Sequence, residues 1–170
     1  MNPEYSRFLQ TCLIGIAVPN GARALDAPCG NGRHFPLLIE RGYEITGVDI
    51  NPRVLEVAKN SSKDEVGRPP VRLLEADLTK PLDPSVLFDL IVIVHFYKPG
   101  AIGAISASAA SGAFIVIETF GNHGGNAQEL PDAGAIAREL GESWRVLVES
   151  ERRVAATPGK AVAKVFAQRT

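Results

Sequence analysis

Three acids, each at the end of an apolar run, and one pair of glycines make up the part of this sequence best suited to holding a ligand. The first run closes on Leu25-Asp26-Ala27-Pro28-Cys29-Gly30-Asn31-Gly32-Arg33. Gly30 and Gly32 let the chain turn tightly and let a ligand approach backbone with no Cβ in the way. A helix following such a turn adds free amides and the positive end of its dipole. A third glycine at position 35 would suit a dinucleotide, but Phe35 stands there. The second run ends Gly47-Val48-Asp49-Ile50, where a carboxylate can accept from both hydroxyls of a ribose. The competing role for Asp49, capping the next helix, is filled by Asn51 before Pro52. The third run ends Leu74-Glu75-Ala76-Asp77-Leu78, and Asp77 can accept from an exocyclic amine or simply form a turn.

The elements that must position these residues follow from periodicity and punctuation. Asn2-Pro3-Glu4 opens a helix whose apolar face runs from Tyr5 to Ile16, and Pro19-Asn20-Gly21 stops it. Strands are expected over 22–27, 43–50, 70–76, 88–95 and 113–119, with helices over 52–60, 101–110 and 131–140. The crossover 77–87 carries two prolines and is too short for a substantial helix. Trp144–Val154 and Lys160–Gln168 flank Thr157-Pro158-Gly159 and form a hairpin. Alternating strands and helices make an α/β, doubly wound, mostly parallel sheet of seven strands with an antiparallel C-terminal hairpin, over a single domain, 1–170. Ligands bind such sheets outside the carboxyl ends of the strands, where the three acids and the glycine turn fall.

Composition narrows the classes further. A chain of 170 residues with 45% hydrophobic and 22% charged residues is an ordinary globular domain. A net charge of −1 gives no basic stripe for nucleic acid. Cys12 and Cys29 make neither a disulfide framework nor a zinc motif, and His34, His95 and His123 lack metal-ligand spacing. The apolar runs are too short to span a bilayer and the N-terminus reads as no secretory leader. A cytoplasmic monomer or homodimer is expected.

The segments 24–34 (ALDAPCGNGRH), 45–51 (ITGVDIN), 71–78 (VRLLEADL), 88–97 (FDLIVIVHFY) and 112–120 (GAFIVIETF) together resemble class I S-adenosylmethionine-dependent methyltransferases. The likeness is strongest to their small, uncapped, tellurite-resistance-type branch. It implies a Rossmann-like fold and S-adenosylmethionine as cofactor. Asp26 and Gly30, Asn31 and Gly32 would line the methionine end, Asp49 would hold the ribose and Asp77 the adenine, with Ile50 and Leu78 sandwiching the ring; Ala27, Asn51, Ala76 and His95 would also contact the cofactor. Two features depart from the pattern: Ala27-Pro28-Cys29 leads into the glycine turn, and the third crossover lacks a helix.

The remaining chemistry falls after the fourth and fifth strands. His95 is placed where cofactor and acceptor meet, either as a general base or as a strand-end packing residue. Phe96, Tyr97, Glu118 and His123 are the candidates for touching the acceptor. The sequence His95-Phe96-Tyr97-Lys98-Pro99 replaces the Asn/Asp-Pro-Pro-Tyr of amino-group methylases and the Pro-Cys of cytosine-C5 enzymes. A small-molecule or oxyanion acceptor is the leading expectation. The alternatives are a non-catalytic cofactor-binding subunit and a nicotinamide oxidoreductase on a related sheet. A side chain at Gly30 or Gly32 should block the ligand and leave the fold intact.

Overall fold

A computed structural model describes residues 5–61, 71–122, 131–132, 134–153 and 160–170. Its first helix, α1 (Arg7–Ile14), starts where the Ser6 hydroxyl accepts the Leu9 amide, satisfying one of the free donors of the first turn. The Asn2-Pro3 start signal lies outside the described residues, and the helix opens at Ser6 instead. Leu9, Cys12 and Leu13 bury one stripe of α1. Its exposed C-terminal carbonyls, Leu13 O and Ile16 O, accept from the Arg41 guanidinium at 2.6 and 2.8 Å.

The strands are β1 (Arg23–Asp26), β2 (Glu44–Asp49), β3 (Val71–Glu75), β4 (Phe88–Val94), β5 (Ala109–Asn122), β6 (Trp144–Arg153) and β7 (Lys160–Arg169). They form one sheet in the order β3-β2-β1-β4-β5-β7-β6. The ladders from β3 to β5 are parallel, and β7 runs antiparallel to both β5 and β6. The chain therefore works outward from β1 to β3 and then returns to the other side of β1, which puts the topological switch between β1 and β4.

Side chains alternate across the sheet with the period of two that a strand requires. Leu25, Ala27, Val48, Ile91, Ile93, Ile115 and Ile117 face one core, closed by α4 (Ala101–Ser106) and α5 (Ala135–Leu140). Ala24, Ile45, Leu90, Val92, Val94 and Val116 face the other, under α1, α2 (Phe35–Glu40) and α3 (Pro52–Ser61). Helices on both faces match the doubly wound reading. The crossover 76–87 carries no helix, and Leu82 and Val86 pack against the first core in its place.

Further boundaries differ from the periodicity around α4 and α5. α4 ends at Ser106, because Ala109 already pairs with Phe88 and begins β5. α5 begins at Ala135, after Gly134 in the left-handed region, and ends on Gly141. The hairpin tip, including Thr157-Pro158-Gly159, lies outside the described residues.

Candidate functional site

The turn after β1 is held from both neighbouring strands. Ala27 N donates to Val92 O of β4 and Cys29 N to Val48 O of β2, each at 2.9 Å. Gly30 and Gly32 both have positive φ, +52° and +76°. They are not equivalent. A Cβ on Gly30 would meet open space, whereas one on Gly32 would lie 2.6 Å from the Phe35 ring. That ring is buried and also occupies the room left by Gly47 on β2. Phe35, at the position a dinucleotide fold gives to glycine, thus wedges the turn against β2.

Asp49, at the end of β2, is buried and ties the turn to the strand. One carboxylate oxygen accepts the Gly30 amide at 3.0 Å, the other the Asn51 amide at 2.9 Å. Each oxygen keeps a second lone pair for a ligand hydroxyl. Asn51 takes the capping role, its side-chain oxygen accepting Arg53 N at 3.0 Å. Asp49, Ile50, Ala76, Asp77, Leu78 and Phe96 line one cleft of about 260 Å³, together with Pro28, Thr79 and Lys98. Ile50 is 64% exposed on the wall of this cleft, where a flat apolar group can cover it. Asp77 accepts from the Thr79 amide at 3.0 Å and the Thr79 hydroxyl at 2.7 Å. These bonds hold its carboxyl below the usual carboxylate range.

The remaining sequence candidates divide. Asp26 is fully buried beneath the turn, both its oxygens 3.3 Å from His34 Nδ1. His34 Nε2 is buried without a hydrogen-bond partner among the described residues. Ala27 is buried beside Asp26, and Asn31 stands exposed on the turn. Phe96, expected to touch the acceptor, lines the same cleft as Asp49 and Leu78. The Tyr97 hydroxyl donates to Glu139 on α5 at 2.5 Å, and burial with Glu139 pushes its pKa up to about 12. Glu118 accepts from the Ser6 hydroxyl and pairs with Lys164 at 3.2 Å. His123 lies outside the described residues. Burial, helped by Asp26 and Asp49, raises the Cys29 thiol to about 12, which leaves it an inert filler of the turn.

His95 directly follows β4 with φ +59°, the only non-glycine residue at positive φ among the described residues. Its amide donates to Glu118 O at 2.7 Å, and its exposed ring stacks on Phe120, centroids 5.6 Å apart. The Arg33 guanidinium donates to His95 Nδ1 at 3.2 Å. A guanidinium has no acceptor, so this pair makes His95 neutral, with its proton on Nε2. Burial first, and Arg33 second, hold its pKa below the ordinary 6.5. In this pairing Nδ1 is occupied as an acceptor and the free ring position is the Nε2–H donor. Sequence reasoning missed Arg33 and His34 as partners because no local spacing links them to His95 and Asp26.

Residues 24–111 match the family model described as "Methyltransferase domain". The chain belongs to this family. It is 32% identical over 89 residues to the magnesium-protoporphyrin O-methyltransferase of Rhodobacter capsulatus, covering 50% of this chain and 38% of that protein. The chain spans between 23% and 38% of the length of the curated relatives it matches. Its fold is similar to TehB from Haemophilus influenzae, with a TM-score of 0.75 at 16% identity over 98% of this chain and 62% of that one. It is likewise similar to the N-methyltransferase NodS from Bradyrhizobium japonicum WM9, solved with S-adenosyl-L-homocysteine. There the TM-score is 0.73 at 18% identity, over 96% of this chain and 84% of that one. Family and topology agree with the class I, Rossmann-like expectation. Among the described residues no helix is long and apolar enough to cross a membrane.

Proposed function

We propose that this chain binds S-adenosylmethionine across the switch point and transfers its methyl group to a small-molecule acceptor. The observation that carries this reading is the continuity of the crevice. The open face of Gly30, the Asp49 carboxylate and the apolar slot of Ile50, Leu78 and Phe96 follow one another from β1 to β3. That order suits a ligand with an amino-acid end, a ribose and a flat base. Gly30 would admit the amino-acid end, Asp49 would take the ribose hydroxyls, and Asp77 would accept from the adenine amine. Bound there, S-adenosylmethionine supplies a methyl group already activated by the sulfonium. The protein has then to align the acceptor and keep water out.

His95, its Nδ1 engaged by Arg33, orients and donates rather than removing a proton. This favours the packing and positioning role for His95 over the base. The relatives' names divide between oxygen and nitrogen acceptors, so the acceptor atom must be argued from this chain's own residues.

Calorimetry with S-adenosylmethionine, S-adenosylhomocysteine and NAD tests the reading. Both sulfur ligands should bind, with NAD at least about a hundredfold weaker, a gap of roughly 2.7 kcal/mol. Tighter binding of NAD would assign the crevice to an oxidoreductase. Binding of S-adenosylmethionine without turnover on any acceptor would favour a non-catalytic subunit.

A further inference from the structure

Past the β1 turn, at the ends of β4 and β5, the charges do not balance. Arg33 is partly buried and donates to the neutral ring of His95, and no carboxylate pairs with it among the described residues. Every nearby acid is committed. Asp26 is against His34, Glu118 is held by Lys164 and the Ser6 hydroxyl, and Asp49 accepts two backbone amides. A guanidinium without a carboxylate partner favours an anion among the ligands at this end of the site. Beside the Arg33 guanidinium stands a second donor, the Nε2–H that His95 keeps when its Nδ1 accepts from Arg33. Beside them Phe120, stacked on His95 with the rings 17° from parallel, leaves 42% of its surface uncovered.

We infer that this half of the crevice takes an aromatic acceptor whose nucleophile is an anionic oxygen, phenolate or arene carboxylate. Its oxygen would lie on Arg33 and His95, and its ring against Phe120. The inference rests on reading the other half as the S-adenosylmethionine site. An oxyanion acceptor needs no base. Its oxygen lone pair forms the new oxygen–carbon bond while the carbon–sulfur bond breaks, with that electron pair going to sulfur. No proton has to leave. The depressed pKa of His95 is consistent with a donor kept neutral beside Arg33.

Binding, rather than turnover, tests this. With the protein saturated by S-adenosylhomocysteine at mildly alkaline pH, calorimetry compares 4-nitrophenolate with neutral 4-nitroaniline, and benzoate with neutral benzamide. At least one anion should bind about tenfold or more tightly than its neutral counterpart, and the tighter pair tells phenolate from carboxylate. Arg33→Gln should abolish that ratio while S-adenosylhomocysteine affinity stays within about twofold. Phe120→Ala should weaken both members of the pair alike. An anion that binds no better than its neutral partner, or an unchanged ratio in Arg33→Gln, overturns the inference and leaves the cofactor reading standing. Failure of S-adenosylhomocysteine to bind the wild-type chain overturns both.

Discussion

The two halves of the crevice are built differently. On the β1–β3 side, Asp49 and Asp77 are held by backbone amides. Asp77 accepts from Thr79, and Asp49 from Asn51 and from Gly30 in the turn it faces. On the β4–β5 side, each side chain is held by a distant partner: His95 by Arg33, Tyr97 by Glu139, Glu118 by Ser6. The first half is a set of local turns laid on adjacent parallel strands, so its geometry comes with the secondary structure. The second exists only when α1, α5 and the β1 turn have docked. This predicts that the cofactor half tolerates little change in backbone and that the acceptor half responds chiefly to loss of particular side-chain partners.

The sharpest way to break this comparison is to load the same side chain onto the two glycines. Gly32→Val drives a Cβ into the Phe35 ring at a left-handed backbone position. Backbone strain of about 1–2 kcal/mol and overpacking of about 1–3 kcal/mol should together lower the melting temperature by on the order of 10 °C. Gly30→Val meets nothing, so it carries the backbone strain alone and should remain folded while losing cofactor. Thermal denaturation with calorimetry separates them. The expectation that both variants keep the fold holds only for Gly30, because Phe35 fills the space beside Gly32. Equal melting temperatures for the two would show that the ring gives way.

Next in size is Asp49→Ala. Loss of two hydrogen bonds to an ionised acceptor should cost about 2–4 kcal/mol of binding, at least roughly thirtyfold in affinity. The loss should be the same for S-adenosylmethionine and S-adenosylhomocysteine, since both carry the ribose. The variant also frees the amides of Gly30 and Asn51, so it should lower stability by about 1–2 kcal/mol in denaturant melts. Binding within about threefold of wild type would remove Asp49 from the ribose site.

The smallest effect belongs to the acceptor half. Because the folded-state pKa of His95 lies below its ordinary 6.5, the stability it contributes is complete above that value. It is lost as the pH falls through the lower folded value, where protonation sets imidazolium against Arg33. His95→Gln should therefore flatten the decline in melting temperature between neutral and mildly acidic pH, leaving cofactor affinity nearly intact. A decline of the same size in both proteins would show that the Arg33–His95 contact contributes nothing to it.

What could be read from the sequence was local or periodic. The strands were legible because apolar residues in runs of strand length, bounded by Gly and Pro, have one economical burial, inside a parallel sheet. Asn51-Pro52 marked the start of α3, and the acids at the strand ends marked the crevice. Helix limits were less legible. The small residues over 101–110 suit a helix, but pairing of Ala109 with Phe88 ends it at Ser106. Tertiary contact alone decided that Phe35 would fill the space beside Gly32 and Gly47. It also decided that His34 would meet Asp26, and that Phe96 would join the cleft lined by Asp49 and Leu78 while Tyr97 turned to Glu139. A turn or strand is specified by residues within a few positions of one another. A side chain's partner depends on which surfaces packing brings together, and nothing in local spacing reports that Arg33 will stand 3.2 Å from His95.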